Sequence, residues 1–481
     1  MRCVYPLSMN KTEKGNVYMT NVDGKDVLIA DESLGFIGES FTVSGDRKIK
    51  AELNHDNACV LRELFPFTAP VRVLENVRTM GVGDRLGVAT TGHIRVFEKH
   101  DDVFPVFAQQ SIRELKLTGR TYEEVLDVVT FAVFKYGYKK GFGADGDHLK
   151  TPDEVRYALS CGYTMITLDC SEHIRKDVAS MSDSQVDKEY APTEMEALYI
   201  DKSFDIGEGK KLHFTEAEFK RIVLIYGKAI DFICTIYMSF FASGKYQADF
   251  EISIDETETP TTPLQHFFVA NELKRRKIKF ATLAPRFCGE FQKGVDYIGD
   301  LVQFEREFED HATISRHFGY KLSIHSGSDK FSVFPIIGRL TKGVFHLKTA
   351  GTNWLEAMHV VALKEPGFYR EVHKFALRVF SEAKKYYHVT TDLTKIPNVD
   401  DLTNEELPLL FMQNDARQLI HITYGLILSE KDSAGRWVFR EKLYKILDEN
   451  QETYAERLQI HIGRHLELIC CEIIPELAVP V

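Results

Sequence analysis

The run GFGADGDHLK, residues 141–150, sets Asp145, Asp147 and His148 within four positions, beside three glycines. Ionisable groups are costly to bury unless they are paired or hold a metal. The run is therefore either a solvated turn, capped by Asp147 in the Asx manner, or the mouth of an active site. Similar groups recur downstream. ADFEISIDE (248–256) carries Glu251 and Asp255, APRFCGE (284–290) carries Arg286 and Glu290, and VFHLKTAG (344–351) carries His346 and Lys348. HSGSDK (325–330) holds His325, Ser326, Ser328, Asp329 and Lys330. Two imidazoles and one carboxylate, with positions left open for water or substrate, are a common catalytic metal site. His148 and His325 supply the imidazoles. Glu290 is the first choice for the carboxylate, Glu251 is its rival, and His346 is a possible further ligand. The plainer reading makes each histidine a hydrogen-bonded core residue. Asp147 suits a general base and Glu251 an opposing acid. HSGSDK reads as a polar nest for hydroxyls or a carboxylate, or else as a turn into the next helix.

These residues need elements that bring them together. From about residue 103 the pattern alternates between strand and helix. Strands are predicted at 104–111, 141–150, 163–171, 248–256, 278–290, 320–330, 344–351 and 388–392. Between them lie helical stretches. One is TYEEVLDVVTFAVFKYGYKKG (121–141), with Val125, Val128, Val129 and Ala132 at helical spacing. Another follows Thr151, with Pro152 and Glu154 completing a capping box. Eight βα units imply an α/β fold of the (β/α)8, TIM-type barrel class. An open doubly wound sheet is the alternative, but no G-x-G-x-x-G follows the first strand. Ionisable residues are out of place in parallel strands, which are buried on both faces. At the C-terminal ends of barrel strands they are where an active site belongs. The organisation expected is an N-terminal α+β extension over 1–102, a barrel over 103–395 with an insertion at about 172–245, and a helical segment over 396–481. RLGVATTGHIRVFEKH (85–100) reads as a second strand–turn–strand of the extension.

Composition narrows the function classes. The chain is 44% hydrophobic and 27% charged, as expected of a soluble globular protein. A net charge of −11 leaves no basic excess to neutralise phosphates, so no nucleic-acid partner is expected. KRRKIK (274–279) reads as the solvated end of a helix. No apolar run approaches the ~20 residues of a bilayer span, and 219–241 reads as a core helix, so no membrane partner is expected. The opening residues show no secretory h-region. The eight cysteines are scattered without a C-x-x-C pair, which suits reduced thiols in the cytoplasm. His461 and His465 sit four apart, but no H-E-x-x-H is present. They read as a solvated helix face.

Three longer strings carry a resemblance. GFGADGDHLKTPDEV (141–155), KLSIHSGSDKFSVFP (321–335) and FHLKTAGTNWLEAM (345–358) resemble the tagaturonate epimerase family. The resemblance implies a metal-dependent isomerase of bacterial hexuronate catabolism. Its small-molecule substrates would be the ketohexuronates D-tagaturonate and D-fructuronate. It implies metal ligation by His148 and His325, and base and acid roles for Asp147 and Glu251. A divalent cation is expected, with Zn, Mn, Ni and Co all compatible. The inverted carbon, C4, is not adjacent to the ketone at C2, so simple enolisation cannot invert it. Retro-aldol cleavage between C3 and C4 can, with the metal stabilising the enediolate. The substrate carboxylate needs a cation, for which Arg286, Lys330 and Lys348 are candidates. Ser326 and Asp329 are expected beside them. Two other readings fit the same residues: another metal-dependent sugar isomerase or aldolase on this barrel, and a non-catalytic sugar-acid binding protein.

Overall fold

Local signals set the element boundaries. Thr151 Oγ1 accepts from the Glu154 amide at 3.3 Å, and Glu154 returns the bond to the Thr151 amide at 3.2 Å. The box starts helix Pro152–Ser160. At Asp23-Gly24 both residues have positive φ, 52° and 84°. That geometry joins strands Gly15–Val22 and Lys25–Asp31 as a tight hairpin. The computed structural model describes residues 3–471.

Eight parallel strands close into a barrel in sequence order. They are β1 (Arg78–Val82), β2 (Val103–Ser111), β3 (Gly143–Leu149), β4 (Met165–Asp169), β5 (Asp249–Ile254), β6 (Thr282–Pro285), β7 (Lys321–Ile324) and β8 (Phe345–Thr349). The TIM-type class is as expected, but the count of strands shifts by one. The expected eighth strand, 388–392, forms no strand. Its amides are taken by side chains instead: Thr390 N donates to Gln292 and Asp392 N to Asp415, at 3.0 and 2.7 Å. The missing strand is β1, which lies within the expected N-terminal extension and pairs with β8 and β2. It is short and carries Arg78 and Gly81, so its strand signal is weak. The second strand pair expected at 85–100 is helix Thr90–Lys99. Its Ile94, Val96 and Phe97 are buried against other elements. Tertiary packing there overrides β-branched propensity.

A Greek-key-free antiparallel sheet of strands within residues 3–51 lies outside the barrel. It packs Met19, Leu28 and Ile49 against Phe131 and Phe134 of helix Tyr122–Tyr136. The insertion after β4 holds the hairpin Lys202–Gly207/Lys210–Phe214 and the long helix Glu216–Phe240. That helix is long and apolar enough to cross a membrane by length and composition. It nevertheless buries Phe219, Ile222, Tyr226, Ile230 and Ile233 along one face, at the spacing of a helix packed on a barrel. A second core gathers helices Thr352–Lys364, Pro366–Ala383 and Arg440–Glu449 beside the barrel.

The barrel interior is polar. At one end Asp249 accepts from Arg72 at 2.8 Å and from the Val73 and Leu74 amides at 3.1 and 2.9 Å, closing the N-terminal mouth. Above it lie Lys321, Thr79 and His346, then Glu251, Thr167, Asp145 and Lys348, all buried. Most barrels fill this space with branched apolar residues. Here hydrogen bonds join residues within the layers, Lys321 and His346 to Thr79, and Lys348 to Asp145, Thr167 and Glu251.

Candidate active site

The C-terminal mouth is a cavity of about 600 Å³. Its lining includes Asp147 and His148 from the end of β3, Asp255 after β5, His325 after β7 and Lys348 on β8. Consecutive strand residues normally face opposite ways. Asp147 and His148 both reach the cavity because the β3–β4 register slips there. Gly146 opposes Ile166, but Leu149 opposes Leu168, so β3 carries one extra residue. His148 takes φ of 52°, in the left-handed region. Such a bulge re-aims side chains, and a non-glycine residue held in this conformation is typical of functional sites.

His148, Asp255 and His325 each offer a ligand atom, and these atoms lie within 4.8 Å of one another. The two imidazole rings are 4.9 Å apart at a steep angle of 78°. His148 Nδ1 is buried without a hydrogen-bond partner among the described residues, whereas Asp169 Oδ2 lies 3.4 Å from Lys150 Nζ. An unsatisfied buried imidazole nitrogen beside a second His and an Asp fits a bound cation. His325 is held from behind: Glu251 lies 2.8 Å from Nε2, and Asp255 lies 3.2 Å from Nδ1. Both ring nitrogens thus face carboxylates, so a cation here would take the place of the proton between Nδ1 and Asp255 while Glu251 holds Nε2.

Electrostatics in the site follow from burial and one lysine. Lys348 donates to Asp145 Oδ2 and Thr167 Oγ1, both at 2.7 Å, and to Glu251 Oε1 at 3.2 Å, and also pairs with Asp147. Burial disfavours charge on Asp147, but Lys348 and then His148 outweigh it and hold the carboxyl at about 2. Asp145 lies deeper, and burial pushes it up to about 6 despite Lys348. Burial also works against charge on Glu251, yet Lys348 and His325 keep it well below the usual carboxylate range. Burial alone would neutralise His325. Asp255 and Glu251 outweigh it and raise the ring to about 10.

A family model described as tagaturonate epimerase matches residues 5–469. The chain belongs to the tagaturonate epimerase family. Its members are isomerases, and so is this protein. The tagaturonate/fructuronate epimerase of Thermotoga maritima is 41% identical over 476 residues, covering 97% of this chain and 96% of that protein. The native crystal structure of the fructuronate-tagaturonate epimerase UxaE from Cohnella laeviribosi is 48% identical, with a TM-score of 0.94 over 98% of this chain and 96% of that one. A glycerol complex of the same protein matches equally, over 97% and 96%.

In this member of the tagaturonate epimerase family, the residues singled out by sequence separate into three groups. Asp147, His148 and His325 converge as expected. Ser326, Lys348, Arg286 and Glu290 also line the cavity, but with altered parts. Glu290 is not among the three ligand-bearing residues. It lies 3.6 Å from Arg286 and 3.7 Å from His388 at the cavity wall, because the chain after β6 turns away from His325 into a loop. Asp255 is the third member of that candidate group. Its signal was the alternation that sets Glu251, Ser253 and Asp255 on one face of β5. Glu251 is wholly buried beneath His325 and does not line the cavity, so it meets the ligand rather than a substrate. His346 lies deeper still, bonded to Thr79 Oγ1 at 2.9 Å.

The third group is structural. Lys330 is buried and donates to the carbonyls of Gln292, Val295 and Ser328 at 2.8, 2.6 and 2.8 Å. Asp329 accepts from Arg417 at 2.9 Å and pairs with His461, while its amide donates to His465 Nε2 at 2.9 Å. Neither residue faces the cavity. His461 and His465 are thus no solvated face; His465 is fully buried. Arg85, Arg113 and Lys293 line the cavity without having been anticipated. Arg85 and Lys293 sit on loops and Arg113 in the first turn of the short helix Ile112–Thr118, where no periodicity marks them.

Proposed function

We propose that the protein interconverts D-tagaturonate and D-fructuronate by inversion at C4, with a divalent cation held by His148, His325 and Asp255. The observation that carries this reading is the convergence of those three side chains beside an ionised Asp147 in one cavity. The cation would supply Lewis-acid stabilisation of negative charge on the substrate oxygens. Asp147 accepts the proton of the C4 hydroxyl as the C3–C4 bond breaks. Lys348 keeps Asp147 ionised beforehand, and so acidic a carboxyl returns the proton readily once the bond has re-formed on the other face of the aldehyde. Glu251 orients His325 from behind. The depth of the cavity gives the aldehyde half room to turn without escaping to solvent.

Incubation with D-tagaturonate in D2O, followed by NMR, tests the reading. D-Fructuronate should appear with protium retained at C4, because the aldehyde carbon keeps its hydrogen throughout. Deuterium at C4 would replace the retro-aldol route with direct proton transfer. Hydrogen shift between C1 and C2, or release of fragments, would make the protein a different isomerase or an aldolase.

A further inference from the structure

A sugar acid needs a cation for its carboxylate, and most cations at the cavity are already engaged. Lys348 is held among Asp145, Asp147 and Glu251. Lys330 is fixed by three carbonyls outside the cavity. Arg286 donates to the Thr257 carbonyl and faces Glu290. Three cations remain, from three different strand-to-helix segments: Arg85 on the loop after β1, Arg113 in the first turn of helix Ile112–Thr118 after β2, and Lys293 on the loop after β6.

Their surroundings leave positive charge in excess. Lys293 Nζ donates to Ser326 Oγ at 2.9 Å and has no ion pair among the described residues. Arg113 makes no hydrogen bond or ion pair among them; its guanidinium stands 5.0 Å from the centre of the Tyr387 ring. Arg85 is buried, stacked 3.8 Å over Tyr424 and bonded through Nε to Glu114 at 2.9 Å. Its Nη1 is buried without a hydrogen-bond partner. The acids nearby are engaged. Glu114 serves Arg85 and the Ser111 cap, and Glu256 lies 3.8 Å from Lys150. Burial, then the charges of Arg113 and Arg85, pull Lys293 below the ordinary lysine value. Of the three, only Arg85 has a counter-charge, Glu114, and the excess of positive charge favours an anion beside Arg113 and Lys293.

The placement is also right for a six-carbon acid. Ser326 directly follows His325, so Lys293 touches the residue next to a metal ligand. Ser326 is held rigidly, with φ of 50° and with the following Gly327 amide bonded to the Lys348 carbonyl at 3.0 Å. A substrate whose reacting carbons lie at His325 and Asp147 can therefore reach Lys293 with its far end.

We propose that Lys293 and Arg113, backed by Arg85, bind the substrate carboxylate and so select sugar acids over neutral sugars. This rests on the epimerase reading above. The test is calorimetric binding of D-tagaturonate and of D-tagatose, which has a hydroxymethyl group in place of the carboxylate, to the protein as purified. Wild type should prefer D-tagaturonate at least tenfold. Lys293→Met and Arg113→Met should each weaken D-tagaturonate at least tenfold, and Lys293→Arg should recover most of the loss. Smaller losses in both Met variants, or a Lys293→Arg as poor as Lys293→Met, overturn the proposal. Equal melting temperatures of the variants confirm that the fold is intact. Turnover by wild type is scored separately. Tight, Lys293-dependent binding without D-fructuronate formation would remove the epimerase reading and leave the carboxylate site standing.

Discussion

At the scale of the residue, the site divides labour among groups that look alike in sequence. Asp145, Asp147, Glu251 and Asp255 are all acids near one lysine or one histidine, and depth decides what each can do. Only Asp147 and Asp255 reach the cavity. The proposed metal ligands are tested directly: His148→Ala, His325→Ala and Asp255→Ala should lose bound divalent metal, read by elemental analysis, together with epimerase turnover. Glu290→Ala should keep the metal. Retention of stoichiometric metal in Asp255→Ala would return the third place to Glu290. Asp147→Asn should keep the metal but lower kcat about 10²–10⁴-fold, the usual worth of a positioned acid–base group. A kcat within fivefold of wild type would remove Asp147 from proton transfer. The alternation on β5 made Asp255 legible as a neighbour of Glu251, whereas the role of Glu290 depended on a loop path that no periodicity reveals.

At the scale of the element, the loop after β7 is clamped to the last helix, Gln451–Ile469. Asp329 is the centre of the clamp, between Arg417, His461 and His465. Burial disfavours its charge, but Arg417 and His461 outweigh burial and hold it well below the ordinary value. A depressed carboxyl stabilises the fold above its unfolded value of about 4 and loses that contribution as pH falls. Asp329→Ala removes the shared counter-charge of the half-buried Arg417 and His461, which keep the Gly294 and Phe411 carbonyls and Glu356 respectively, and should cost about 1–3 kcal/mol at pH 7. Urea midpoints from pH 3 to 7 should show the loss shrinking toward the acid end. A constant difference across that range would mean that the clamp is not electrostatic. The βα rhythm from β2 to β8 was legible because short apolar runs alternate with helical stretches that carry caps and helical periodicity. β1 was not, because five residues with an arginine and a glycine give little period, and its identity is fixed by its neighbours in the closed sheet. The clamp was hidden for a similar reason. His461 and His465 look solvated until a loop 130 residues upstream is folded against them.

At the scale of the whole molecule, the C-terminal segment is wall rather than addition. Helix Gln451–Ile469 packs on helix Thr90–Lys99, which follows β1, and on helix Phe334–Leu340, which follows β7. It therefore fills the gap between the first and seventh barrel helices, while helix Thr352–Lys364 after β8 is buried within the second core. Both contacts need glycine for close approach. A Cβ on Gly92 would meet Leu458 Cβ at 2.8 Å, and one on Gly338 would meet the Ile469 carbonyl oxygen at 1.9 Å. The barrel closes its wall only when residues 451–469 arrive, so the closure joins β1 to a helix nearly four hundred residues later, on the order of the whole described chain. A chain ending at residue 450 should lose both the wall helix and the His461–Asp329 clamp. It should unfold without a single cooperative transition in circular dichroism and bind an apolar-surface dye at room temperature. A truncated chain that melts cooperatively at the wild-type temperature would show instead that seven helices suffice, and that the last one only covers a finished barrel.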